Sequence, residues 1–79
     1  MTNTLKLKAL LLLNGLNQED LAKYLGLSKQ AINMKINNKR AFRLTEISKI
    51  CDLLKIDNVQ ERFAIFFVND VDLRLQNDK

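Results

Sequence analysis

Two helix starts and two helix stops fall between residues 17 and 38, and they leave the chain little freedom there. Asn17 is a helix-capping residue, and Gln18, Glu19 and Asp20 follow it, with acids where the positive end of a helix dipole welcomes them. Leu21, Ala22 and Leu25 then form one apolar face, and Gly26 supplies the left-handed residue that ends a helix. Ser28 can cap the next helix, which stops near Asn37-Asn38, because an asparagine takes the left-handed conformation almost as a glycine would. Two short helices are therefore joined by the turn Gly26-Leu27-Ser28. Small Ala22 lets them approach closely, while Leu21, Leu25, Leu27 and Ile32 are the apolar contacts that set their crossing angle. The expected product is a rigid two-helix wedge.

The rest of the chain continues the helical pattern. It has no proline, no internal repeat and no low-complexity tract. A first helix spans about Thr4 to Leu13, capped by Thr2, Asn3 or Thr4 and ended by Asn14-Gly15. Leu5, Ala9, Leu12 and Leu13 share one side of it at helical spacing, although Leu7, Leu10 and Leu11 make the pattern less one-sided than usual. A fourth helix covers roughly Leu44 to Leu54, with Leu44, Ile47, Ile50, Cys51 and Leu54 as its stripe. Asn58, with Glu61 three residues on, opens a fifth whose apolar face is Val59, Phe63, Phe66 and Phe67. The expected fold is all-α: five helices in one domain over residues 1–69, with the tight helix pair at about 17–38. Residues 70–79 form a C-terminal tail in which "VDLRLQ" alternates apolar and polar residues, as a short strand or extended arm does.

Composition narrows the class further. A hydrophobic fraction of 47% over 79 residues supports a small globular core rather than disorder. The longest apolar run, Ala9 to Leu13, is far short of the roughly 20 residues of a membrane span, so no membrane partner is expected. The opening "MTNTLKLKALLLL" faintly resembles a signal peptide, lacks a small-residue cleavage site, and reads as the first helix. One cysteine allows no internal disulfide; Cys51 reads as a small core residue of a reducing, cytoplasmic compartment. With no histidine, no metal site of cysteines and histidines can be built. The chain also lacks clustered carboxylates, a nucleophile motif and a glycine-rich phosphate loop, which points away from an enzyme and from any cofactor. Nor is a small-molecule ligand expected, since the length leaves no room for a second, sensing domain.

Charge is segregated. Residues 1–51 hold nine basic and three acidic side chains, whereas residues 52–79 hold four and six. Between Asp20 and Glu46 there are six basic residues and no acid, the footprint of a polyanion-binding segment. A wheel at about 100° per residue puts Ala31, Ile32 and Ile36 on one side of the third helix. Lys29, Gln30, Asn33, Met34 and Asn37 fall on the other. Lysine matches the acceptors of guanine in the major groove, and asparagine or glutamine the donor–acceptor pair of adenine. An ordinary solvated surface would carry amides too; the spacing of the helix pair favours groove reading.

That spacing is a helix-turn-helix. The string "LNQEDLAKYLGLSKQAINMKINNKR" resembles the helix-turn-helix of the lambda-repressor-like (Cro/C1, or XRE) family of bacterial and phage transcription regulators, in detail from Leu16 to Arg40 and more loosely through the other helices. The resemblance implies a sequence-specific DNA-binding regulator, Cro- or repressor-like and prophage-derived, that occupies a double-stranded operator. It implies base reading by Lys29, Gln30 and Asn33, with Met34 a further candidate against a thymine methyl. It implies backbone contacts by Gln18, which supports the first base-reading residue, and by Ser28, Asn37, Lys39 and Arg40. Two positions depart from the family pattern. Lys35 stands where an apolar core residue is usual, so its stem is expected to snorkel along the core edge toward a phosphate while Ile36 packs. Asn38 replaces a common glycine. Lys23, on the outer side of the second helix, reads as solvated.

The fifth helix raises the question of partners. A domain this small is hard pressed to bury all of "FAIFFV", and leftover apolar surface marks an interface. A homodimer through the fifth helix, by Ile65, Phe66 and Val68, with the tail as a further candidate contact, is expected, with Ile65 projecting away from the Phe63/Phe66 side. The competing function is a protein-binding adaptor, antirepressor- or antitoxin-like, on the same scaffold.

Overall fold

A computed structural model describes residues 1–68. It contains α1 (Thr4–Leu13), α2 (Gln18–Leu25), α3 (Lys29–Ile36), α4 (Leu44–Leu53) and α5 (Val59–Phe66), and no strand among the described residues. The fold is all-α. The expected extended tail, residues 70–79, lies outside the described residues. No helix among them is long and apolar enough to cross a membrane.

Most helices begin on a side-chain cap. Asn3 accepts from the N–H of Lys6, Asn17 from Asp20, Ser28 from Ala31 and Asn58 from Glu61. At α2 the cap is reciprocal, since Asp20 also accepts from the Asn17 N–H. At α4 the cap residue is Arg43, and Glu46 reaches back to its N–H at 2.9 Å. Each such bond satisfies a donor that the helix itself leaves free.

The core collects Leu7 and Leu11 of α1, Leu21 and Ala22 of α2, Ile32 and Ile36 of α3, Ile47, Ile50 and Cys51 of α4, and Ile65 and Phe66 of α5. Phe42, Leu54 and Ile56 close it from the loops, with the Phe42 and Phe66 rings edge to face at 5.9 Å. Burial raises the thiol pKa of Cys51 above its ordinary value, as suits an inert core residue.

Three expectations are corrected here. The side of α1 shared by Leu5, Ala9, Leu12 and Leu13 faces solvent, and Leu7, Leu10 and Leu11 pack inward. Leu44, at the first position of α4, is exposed rather than part of the stripe. On α5 the inward residues are Ile65 and Phe66, at 0% and 3% exposure, so neither can meet a partner without dismantling the protomer core. The Asn3 N–H donates to the Ile65 carbonyl at 2.6 Å, which ties that part of α5 beneath the N-terminal segment. The large apolar residues that α5 exposes are Val59 and Phe63, while Phe67 and Val68 are half-buried.

Candidate nucleic-acid interface

The α2–α3 pair is fixed at the turn. Gly26 adopts φ +71°, and the N–H groups of Gly26 and Leu27 return to the carbonyls of Lys23 and Ala22. Two residues later the Ser28 hydroxyl oxygen accepts from the Ala31 N–H at 3.1 Å, starting α3 in a defined direction. The hydroxyl proton of Ser28 remains available to donate outward. Ala22 is buried at the crossing, as the packing of two close helices needs.

On α3, Lys29, Gln30 and Asn33 are exposed together, and Met34 is half-buried. Asn37, Lys39 and Arg40 are exposed beyond them, and Gln18 is half-buried at the first turn of α2. Asn37 donates its side-chain amide to the Asn33 carbonyl at 2.8 Å, which leaves its side-chain oxygen as the free acceptor. The Lys39 N–H returns to the Met34 carbonyl at 2.8 Å, so the basic loop leaves α3 along a set path. The helix α3 itself is an eight-residue rod, about 12 Å long at the α-helical rise, and a major groove is about 12 Å wide.

Lys35 corrects the expectation of a phosphate contact. It is buried, and its Nζ lies 2.6 Å from Glu46 Oε1. Burial pushes the Glu46 carboxyl up. The Lys35 ammonium and the Arg43 N–H, both bonded to it, together with the charges of Lys35 and Arg43, outweigh that, and the group titrates below its ordinary 4.5. Lys35 thus pins α3 to the start of α4 and is not free to meet a ligand.

Three participants escaped the sequence reading. Glu19 makes an ion pair with Lys29 at 3.1 Å, both side chains well solvated, so the bond is weak and exchangeable. In the sequence Glu46 marks only the end of the acid-free stretch; the fold brings it against Lys35. Asn38 adopts φ +64°, and its side chain both accepts from the Thr2 N–H (2.8 Å) and donates to the Thr2 carbonyl (2.9 Å). Thr4 adds a hydroxyl bond to the Ile36 carbonyl at 2.6 Å. The N-terminal segment therefore clasps the end of α3. All three pairings join residues at least ten apart through the fold, beyond the reach of any local spacing rule.

The arrangement suits a duplex. It combines an exposed donor–acceptor helix face, cations beyond its end, and a backbone braced on three sides. A family model described as helix-turn-helix matches residues 7–57, well over half of the chain, from within α1 to just beyond α4. No curated protein and no solved structure matches the chain.

Proposed function

The chain belongs to the lambda-repressor-like (XRE, Cro/C1-type) helix-turn-helix family, a DNA-binding regulator of that type, and from this premise we propose that it is a Cro- or repressor-like protein of prophage origin that binds one operator sequence as a dimer. In this reading α3 enters the major groove with Lys29, Gln30 and Asn33 at base edges and the half-buried Met34 behind them. Gln18, Ser28, Asn37, Lys39 and Arg40 hold the phosphates on either side. The carrying observation is the joint outward exposure of Lys29, Gln30 and Asn33 on a wedge whose turn and caps are all satisfied. Phosphate contacts supply most of the affinity and the amide and lysine face most of the discrimination. Regulation follows from occupancy, which excludes polymerase or a rival repressor. For the dimer contact, the exposed side of α5 replaces its buried residues: Val59 and Phe63 are open, the Phe63 ring lies 5.2 Å from that of Phe67, and Val68 borders them in sequence.

Selection of bound sequences from random duplexes, followed by a titration across salt concentrations, tests the reading. A single enriched, pseudo-palindromic site and affinity that falls steeply with salt are expected. No enriched site, with binding indifferent to salt, would instead favour the adaptor function.

A further inference from the structure

The outer face of α1 has no partner among the described residues. Leu5, Leu12 and Leu13 are 82%, 77% and 81% exposed, with Ala9 open between them. At positions i, i+4, i+7 and i+8 they make one continuous stripe, with Lys6 and Lys8 exposed on either flank. Scattered surface leucines need no explanation, but a contiguous stripe of three does. We infer that this face is the docking site of the chain's own C-terminal segment, with Val71, Leu73 and Leu75 set against Leu5, Ala9, Leu12 and Leu13.

Three observations choose that occupant over a second copy. The first is position: the Val68 N–H donates to the Met1 carbonyl at 3.3 Å, so the described chain ends beside the start of α1. The second is reach. From Val71 to Leu75 an extended chain covers about 13 Å, and from Leu5 to Leu13 the helix covers about 12 Å. The apolar residues 71, 73 and 75 alternate with Asp70, Asp72 and Arg74, so an extended segment offers one apolar edge of matching length. The third is charge, since Asp70 and Asp72 precede or divide the first apolar residues of the segment, near the end of the helix that carries Lys6 and Lys8. A tethered segment also competes at a high effective concentration, which a second protomer at working dilution does not match.

The test uses the full chain, half of the molecules carbon-13-labelled and half unlabelled, in methyl nuclear magnetic resonance. Nuclear Overhauser contacts are expected from the methyls of Val71, Leu73 and Leu75 to those of Leu5, Leu12 and Leu13, within one molecule. A full-length Leu73→Ser/Leu75→Ser variant should then bind an apolar dye several-fold more, and Leu12→Ser should add little to it. Absence of the contacts, or contacts to α1 found only between labelled and unlabelled chains, overturns the proposal; the second result assigns the face to another copy. Base reading by α3 is tested separately, by the selection of bound duplexes.

Discussion

At the scale of single residues, the side chains of α3 divide by what they already do at home. Lys29, Gln30 and Asn33 have side chains free or weakly engaged, so their replacement tests recognition with little cost to the fold. Gln30→Ala should cost about 1–3 kcal/mol on the selected site and relax preference at one base pair, measured by competition among single-base variants. An equal loss on every sequence would move Gln30 to the backbone class. Asn38 is the opposite case. Its left-handed backbone and its two bonds to Thr2 can be separated by choice of substitute. Asn38→Ala loses both and should lower stability by about 2–4 kcal/mol in a denaturant titration. Asn38→Gly keeps the turn and should recover about 1 kcal/mol of that loss. If the two variants are equally unstable, the Thr2 clasp outweighs the turn strain. Asparagine here does more than tolerate the position that glycine usually holds: it fastens the N-terminal segment to α3.

At the scale of helices, the first four end alike. Gly15, Gly26, Asn38 and Lys55 each take a positive φ, and the next residue returns its N–H five positions back, to Leu11, Ala22, Met34 and Cys51. Leu16, Leu27 and Ile56 occupy that next position after α1, α2 and α4, and all three pack on or in the core. After α3 the residue is Lys39, exposed, where the same turn leads outward. One shared stop motif thus inserts apolar residues at three ends and presents a cation at the fourth. The ends of α1, α2 and α3 were legible for this reason, because glycine and asparagine are local signals of a left-handed residue, whereas Lys55 after α4 carries no such signal. The facing of α1 was not, since leucines lie nearly all around it and only tertiary packing selects Leu7 and Leu11. On α5 the aromatic residues drew the eye while Ile65 held the core. The Lys35–Glu46 pair, which closes α3 against α4, was equally hidden. Removing one partner leaves a buried charge, so Lys35→Met should cost about 3–5 kcal/mol, and Lys35→Met/Glu46→Leu should restore most of it. Acid tests the same pair. Because the folded Glu46 titrates below 4.5, its contribution is present above that value and is lost as pH falls through the folded one. The midpoint of thermal unfolding should hold from neutral pH to about 5 and then drop, with a shallower drop in Glu46→Gln.

At the scale of the whole molecule, charge and apolar surface are assigned to different faces. The acid-poor middle segment belongs to the helix-turn-helix, whereas residues 52–79, from the end of α4 onward, hold six acids against four bases. A single eight-residue helix touches few base pairs, so one protomer discriminates weakly. In the proposed dimer a two-fold axis would place the two α3 helices one turn of DNA apart, about 34 Å, and the second binding event would become intramolecular. Phe63→Asp puts a charge into the exposed side of α5 without entering the core, since Phe63 is 39% exposed and Ile65 and Phe66 hold the inner side. By light scattering that variant should be monomeric at concentrations where the wild type is a dimer. Its affinity for the full operator should fall at least about tenfold, while its affinity for an isolated half-site stays as it was. A fall on both targets would mean that the substitution had disturbed α3. An undiminished dimer would move the two-fold contact off α5, and the spacing of half-sites would then have to be explained from another face.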